Sequence, residues 1–228
     1  MTEKLDVYDI LGILVPGTLI VYLVGTLFPK IASHAVSAHF PSGFELIAFI
    51  ALALFAGNLV QAIASLIEPL LDWTWGGRPS ERALRTGLGE RYLPADSAKR
   101  IRHKLQTVMG ADATERSLFL VAMQRAAGAR ATRVSLFNGL YAYHRGLLVV
   151  VILAMLLFVA ATPYGIASAW SWQTDVLVLV GGAVLLFLIW YRTKQRAFYY
   201  VREVLLAAEH ATTDGPAASS TTANTSEE

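Results

Sequence analysis

Residues 1–28 read MTEKLDVYDILGILVPGTLIVYLVGTLF, and this stretch decides where the rest of the chain lies. A cleaved signal peptide has a basic segment before a short apolar run and small residues at its cleavage site. Here the charged residues before the apolar run are net negative, and Pro29-Lys30-Ile31 after it is a poor cleavage site. The run is also longer than a usual signal-peptide core. We therefore expect it to be a retained transmembrane helix.

Composition extends this expectation to the whole chain. Hydrophobic residues make up 55% of the 228 residues and charged residues 16%, whereas soluble domains are about 45–50% apolar and about 25% charged. Four apolar stretches are long enough to cross a hydrocarbon core, which takes about 20 residues. We predict an all-α polytopic membrane protein whose four transmembrane helices lie at about 10–28, 46–67, 147–164 and 172–191.

The positive charges indicate an orientation. Of the 19 Lys and Arg residues, thirteen lie between the second and third spans and four follow the fourth. Because Lys and Arg accumulate on the cytoplasmic side of membranes, we predict that the middle block and both termini are cytoplasmic. All five tryptophans fall at predicted membrane–water boundaries, where amphipathic rings are best solvated; they are Trp73, Trp75, Trp170, Trp172 and Trp190.

The domain organisation follows from these spans. We predict an N-terminal helical hairpin, a cytoplasmic helical domain between helices 2 and 3, a second hairpin, a cytoplasmic amphipathic helix and a disordered tail; their ranges are 1–67, 68–146, 147–191, 192–210 and 211–228. The tail is small and polar and cannot bury a core. Helical spacing places one apolar stripe on the amphipathic helix; its members are Phe198, Val201, Leu205 and Ala208.

Within the middle block, three short polar residues are placed to cap the N-termini of helices; they are Ser80, Asp96 and Asp112. The helix after Asp96 carries Ile101, Leu105 and Val108 on one face, as expected for a helix that packs on a core.

Polar and helix-bending residues in the first two spans form one set of candidate site residues. Pro16 removes a helical hydrogen bond and Gly17 lets another helix approach closely. In the second span, Asn58 and Gln61 lie on adjacent turns beside Gly57. A static kink with hydrogen bonds between helices is one interpretation, and a hinge or a pore lining is the other.

Two further sets lie in or beside the middle block. Helical spacing before the third span suggests a cytoplasmic interface, for which the candidates are Phe137, Asn138, Tyr141, His144 and Arg145. Clustered basic residues suggest contacts with anionic lipid or phosphate; these are Arg82, Arg85, Lys99, Arg100, Arg102 and Lys104. Nucleic acid is disfavoured as a partner because the block offers few exposed aromatic residues for base stacking.

No motif in the sequence indicates catalysis. There is no G-x-S-x-G, P-loop, H-E-x-x-H or paired-carboxylate pattern, there is no cysteine, and the five histidines lack zinc-type spacing. We therefore predict no catalytic residues, no cofactor and no metal.

Three segments together resemble a known group of proteins. YDILGILVPGTLIVYL, LFAGNLVQAIASLIE and SLFNGLYAYHRGL are similar to segments of small, largely uncharacterised bacterial inner-membrane proteins, which have a YDxLGxLVPG-type first span. Some of those proteins occur among phage-defence and stress genes. The resemblance covers most of the chain up to about Arg145 and implies a multi-pass protein of the bacterial inner membrane.

These patterns lead to two functional hypotheses. The first is a non-enzymatic membrane effector or accessory subunit that receives a signal through its cytoplasmic domain and acts by self-association in the bilayer. It implies a homo-oligomer and a cytoplasmic protein partner. The alternative is a small channel or transporter with a pore near Pro16, Asn58 and Gln61. A membrane-bound enzyme using His144 and Arg145 is a third, weaker hypothesis.

Overall fold

A computed structural model describes residues 7–28, 43–128, 132–161 and 172–211, and this part of the chain is entirely helical. Its helices are α1 (Val7–Leu27), α2 (Phe44–Thr74), α3 (Pro79–Thr86), α4 (Ala95–Met109), α5 (Glu115–Gly128), α6 (Thr132–Ala161) and α7 (Trp172–Ala211). The predicted all-α class is confirmed for these residues, in which the β-structure amounts to one isolated bridge between Gly89 and Leu93.

Three of the helices, α2, α6 and α7, are long and apolar enough to cross a membrane, and the apolar part of α1 (Gly12–Leu27) is shorter. Many large apolar side chains on these helices are exposed, including Leu66 at 80%, Leu177 at 71% and Phe55 at 63%. A helix satisfies its own backbone polar groups, so it is stable in hydrocarbon as well as in water. The described helices therefore fit the predicted membrane protein.

The chain divides into two compact units. The first unit comprises Met1–Gly76 and Leu136–Ala197, and the second comprises Gly77–Ser135 and Phe198–Glu228. Helices α6 and α7 each contribute residues to both units. The predicted tail falls outside the described residues apart from Ala211, as does the end of the third predicted span at 162–164.

In the first unit, α1 and α2 approach each other closely at two glycines. A Cβ added to Gly17 would overlap the carbonyl oxygen of Ala53 and lie 2.6 Å from the backbone nitrogen of Gly57. A Cβ added to Gly57 would overlap the carbonyl oxygen of Ile13. The two backbones are therefore in direct contact, which is the packing that small residues permit between apolar helices.

Two apolar clusters complete the core of the first unit. Val60 and Ala64 of α2 pack with Val149 and Val150 of α6, and Ile20 of α1 joins them. The second cluster joins α2, α6 and α7 through residues that are at least 95% buried; they are Leu71, Trp75, Leu148 and Ala197. Trp75 is thus a core residue at 2% exposure, in contrast to the predicted interfacial position, whereas Trp73 is 77% exposed.

The second unit has its own apolar core, formed by α3, α4, α5 and the last part of α7. The predicted stripe on α7 is confirmed, because Phe198, Val201, Leu205 and Ala208 are each at most 6% exposed in this core. The largest fully buried side chains in the rest of this core are Leu84, Leu93, Ile101, Leu105 and Leu118, of which Leu93 lies between α3 and α4. Val108 is 60% exposed, so its predicted place on the buried face of α4 is wrong.

The predicted caps in the middle block are also wrong. The N-cap of α3 is Arg78, followed by Pro79 as its first residue, and the N-cap of α4 is Pro94; neither helix has a side-chain cap. The fixed φ of proline suits the first turn of a helix, and this advantage outweighs a polar cap at Ser80. Before α5, Thr114 replaces Asp112 as the capping residue, since its Oγ1 accepts a hydrogen bond of 3.3 Å from the backbone N–H of Ser117.

Substitution at Gly57 tests the contact between α1 and α2. Gly57→Ala is expected to lower the thermal unfolding midpoint in detergent, because the new Cβ forces the helices apart at a cost of about 1–3 kcal/mol. Gly25→Ala in α1 is the matched control, since nothing lies within 4 Å of a Cβ at that position. Equal midpoints for the two variants would show that α1 and α2 do not pack as described.

Candidate functional site

Polar side chains of α2 and α6 link the helices of the first unit, and one of them, Gln61, also bonds to α1. We call this group the polar cluster, and its members are Gln61, Glu68, Tyr141 and Arg145. Glu68 lies seven residues after Gln61 on α2, and positions separated by seven residues share a helix face. The cluster joins two sets that the sequence suggested separately, the residues of the second span and those before the third.

Gln61 joins three helices through one amide group. Its Nε2 donates to the carbonyl oxygen of Gly12 in α1 at 2.8 Å and to that of Ala142 in α6 at 3.2 Å. An amide nitrogen has two hydrogens, so both are used. A Cβ on Gly146 would lie 3.0 Å from this nitrogen and 3.1 Å from Cγ of Pro16, which shows how tightly the three helices pack around it.

Arg145 and Glu68 form an ion pair between α6 and α2. Nη1 of Arg145 donates to Oε2 of Glu68 at 2.8 Å, and their side chains are 15% and 36% exposed. The guanidinium carbon of Arg145 lies 5.3 Å from the centre of the Tyr141 ring. Removing one partner of such a poorly hydrated pair leaves an uncompensated charge, which is costly. The pair therefore fixes the position of α6 against α2.

The remaining predicted residues of these two sets lie apart from the cluster or bond within their own helix. Nδ2 of Asn58 donates to the carbonyl oxygen of Leu54, one turn back on α2, at 2.8 Å. Nδ1 of His144 donates to the carbonyl oxygen of Leu140 at 2.7 Å, likewise one turn back on α6. Phe137 is half-buried and Asn138 is exposed.

In the second unit, two carboxylates collect most of the candidate basic residues. Oε1 of Glu209 lies 2.8 Å from Nε of Arg100 and 3.6 Å from Nζ of Lys104. Oε1 of Glu115 lies 3.2 Å from Nη2 of Arg102 and 3.9 Å from Nε of Arg85. Glu209 and Glu115 were not singled out from the sequence, because nothing local to either shows which cations it faces.

Lys99, another member of the basic set, pairs with a different carboxylate. Nζ of Lys99 is 4.0 Å from Asp96 of the same helix, with both side chains largely exposed. Arg82 lies on α3, four residues after its N-cap Arg78. The basic set is therefore distributed over several small ion-pair groups and does not converge on one point.

The setting of Glu209 changes its ionisation. It lies beyond the apolar part of α7, and its side chain is 13% exposed. The hydrogen bond from Arg100 is the main cause that lowers the pKa of this carboxyl group, and the positive charges of Arg100 and Lys104 add to it, while burial opposes them. The same hydrogen bond raises the pKa of Arg100.

Chemically, the polar cluster holds helices together. Within residues 7–28, 43–128, 132–161 and 172–211, no group of three or more His, Cys, Asp or Glu residues could hold a metal ion. The sequence identified Gln61 as a candidate because it is a polar residue within an apolar span. Glu68 was not identified, although an acidic residue at the end of an apolar run could have indicated it.

No protein-family model, curated protein or solved structure was found to match the chain.

Removal of the Gln61 amide tests its role between the helices. Gln61→Leu is expected to destabilise the folded protein by about 1–2 kcal/mol, because two hydrogen bonds between helices are lost. The readout is the fraction that remains monodisperse after heating in detergent. Thr26→Val is the control, since Oγ1 of Thr26 bonds only one turn back within α1. A change in ion or solute flux with unchanged stability would contradict this role and favour a pore.

Acid titration tests the Glu209 pairing. A carboxyl group with a lowered pKa in the folded state stabilises the fold above its unfolded pKa and stops doing so as the pH falls through the folded value. Glu209→Gln should therefore lower the unfolding midpoint at pH 7, by the equivalent of about 0.5–1 kcal/mol. The difference from the unsubstituted protein should shrink below pH 4.5, the usual carboxyl value.

Glu90→Gln provides the matched control for this titration, because Glu90 is an exposed carboxylate of the same unit. Its midpoint at pH 7 is expected to match that of the unsubstituted protein. A pH-independent difference for Glu209→Gln would show that its effect comes from packing and not from charge.

Proposed function

We propose that this chain is a non-enzymatic effector or accessory subunit of the bacterial inner membrane. The second unit is cytoplasmic in this proposal and receives a protein partner or signal, while the apolar helices act in the bilayer by self-association. The resemblance of the first-span and second-span segments supports a bacterial inner-membrane setting and suggests a defence or stress system as the context.

The observation that carries the proposal is the continuity of α7. This helix has 40 residues. Its first half exposes large apolar side chains, including Leu177 at 71% and Phe187 at 62%, whereas Val204 and Leu205 near its end are fully buried in the core of the second unit. A partner that binds the last part of α7 in place of this core would therefore act on the same helix that carries the exposed apolar residues.

The proposed topology has four spans with both termini in the cytoplasm. It is supported by the distribution of Lys and Arg and by the three helices that are long enough to cross a membrane. In this topology α1 is the first span and adds to the three longer helices. Its close backbone contact with α2 and the hydrogen bond from Gln61 give it partners inside the bilayer.

A channel or transporter near Pro16, Asn58 and Gln61 is the second candidate. The amide of Asn58 favours a channel, because it is an exposed polar group that faces away from the apolar core of a single chain. Gln61 points against it, because both of its amide hydrogens already bond to main-chain carbonyls. A pore would therefore have to form between copies of the chain, with Asn58 lining it.

Purification from the native host in mild detergent tests the proposal. The expected result is a complex containing more than one copy of this chain together with a soluble protein. Two substitutions in the buried α7 stripe, Val204→Asp and Leu205→Asp, should release the soluble protein, because a charge there disrupts the core of the second unit.

An exposed residue of the same helix supplies the control. Val180→Ala, at a position that is 55% exposed in the apolar half, should leave the soluble partner bound. A monomer without a co-purifying protein would refute the proposal. A homo-oligomer alone, with measurable ion flux in vesicles, would replace it with the channel.

A further inference from the structure

Helix α2 carries an exposed polar group in the middle of its apolar stretch. Asn58 is exposed, and it lies about midway between Leu46 and Ile67, the predicted ends of the second span. In the part of the chain that the structure describes, its hydrogen bonding consists of the bond from Nδ2 to the carbonyl oxygen of Leu54. A primary amide has two donor hydrogens and an acceptor oxygen, so one hydrogen and Oδ1 remain available.

The bilayer interior cannot supply partners for these atoms. Hydrocarbon offers neither a donor nor an acceptor, and a polar group left without one there is costly. Gln61, one turn further along the helix, shows the other outcome, because its amide is satisfied between helices of the same chain. Among the described residues nothing else bonds to the Asn58 amide, so in the proposed topology its free hydrogen and Oδ1 are open to a polar group of another chain.

The residues around Asn58 form a regular seam. Ala51, Phe55, Asn58, Ala62 and Ser65 follow one another at alternating spacings of four and three residues, and all five are exposed. This is the spacing of a coiled-coil interface. Four of the five are small or polar, and small residues let two helix backbones approach closely in a membrane.

We propose that this seam pairs α2 with α2 of a second copy of the chain, in parallel, about a two-fold axis. The inference rests on the self-association in the proposed function and identifies the surface that carries it. Copies inserted in one membrane have the same orientation, so each residue meets its own counterpart at the same depth.

Asn58 supplies the specific contact of this pairing. The free Nδ2 hydrogen of one copy donates to Oδ1 of the other, and the reverse bond completes the pair. The amide thereby keeps its bond to Leu54 and satisfies its remaining hydrogen and oxygen. A lipid cannot do this, whereas an identical amide is self-complementary. An asparagine at one seam position also fixes the register of the paired helices.

Cysteine cross-linking in native membranes tests the seam directly, since the chain contains no cysteine. Single substitutions Ala51→Cys and Ala62→Cys place a thiol on the seam. Leu52→Cys and Leu59→Cys place it on the neighbouring face, where both side chains are 51% exposed. Oxidation is expected to give disulfide-linked dimers at the seam positions in at least about fivefold higher yield than at the neighbouring ones.

Removal of the amide tests the role of Asn58. In the Ala62→Cys background, Asn58→Leu should reduce the cross-linked fraction by about fivefold or more. Leu46→Ala, on the opposite face of α2 from Ala62 and 63% exposed, should leave it unchanged. The unfolding midpoint of the detergent-solubilised monomer should not fall with Asn58→Leu, because Asn58 bonds only within its own helix.

A second variant keeps the test independent of Asn58. In the Ala51→Cys background, Ala62→Leu places a bulky side chain on the exposed seam and should also reduce dimer formation. Equal cross-linking on both faces, or dimers that are insensitive to both substitutions, would overturn the seam.

The mass of the complex separates this inference from the proposed function. A homo-oligomer that persists without seam cross-links contradicts the seam alone, whereas a monomer contradicts both. A third outcome is that no seam cross-link forms and that Asn58→Leu releases a different membrane protein that co-purifies with the chain. This result would show that Asn58 contacts that protein, and it would overturn the pairing.

Discussion

The first unit depends on the absence of side chains where α1 meets α2. At Gly17 and Gly57 the backbones are so close that a Cβ on either residue would overlap a main-chain carbonyl oxygen. This closeness brings the carbonyl oxygen of Gly12 within 2.8 Å of the Gln61 amide, which then reaches Ala142 of α6 as well. In an apolar surrounding, helices gain little from hydrophobic burial, so close packing and a few hydrogen bonds determine their arrangement. The glycines allow the helices to approach this closely, and the hydrogen bonds of Gln61 stabilise that arrangement.

The ion pair of Arg145 and Glu68 adds a second constraint on the same helices. A guanidinium group at 15% exposure has little water around it, so its bond to Glu68 and its contact with the Tyr141 ring compensate for lost hydration. Gln61 joins α2 to α6 near Ala142, and the ion pair joins them again one turn further on. Two polar links one turn apart define the rotation of α6 about its own axis, which apolar contacts alone leave loosely specified.

The sequence predicted the helices well and their contacts poorly. Hydropathy and helical spacing identified the apolar helices and the buried stripe from Phe198 to Ala208, since both signals are local. The caps at Ser80 and Asp96 were wrong because nearby prolines begin those helices. The ion pairs could not be predicted, because Arg145 and Glu68 are 77 residues apart and Arg100 and Glu209 are 109 apart. Gln61 was identified as a helix-joining candidate, whereas its partners depend on three-dimensional packing.

The carboxylates of Glu115 and Glu209 give the second unit its own counterions. Each lies within 4.0 Å of two cationic side chains, so four of the nine Lys and Arg residues at 79–128 have a counterion inside the fold. In the topology proposed above, the chain is unfolded during insertion and these partners are far apart, so every Lys and Arg counts toward orientation. After folding, the paired cations attract anionic headgroups less than the sequence count suggests, because attraction of about 1 kcal/mol per residue applies to unpaired charges. In that proposed topology the same basic residues have two successive roles, since they orient the chain during insertion and then pair with Glu115 and Glu209 in the folded unit.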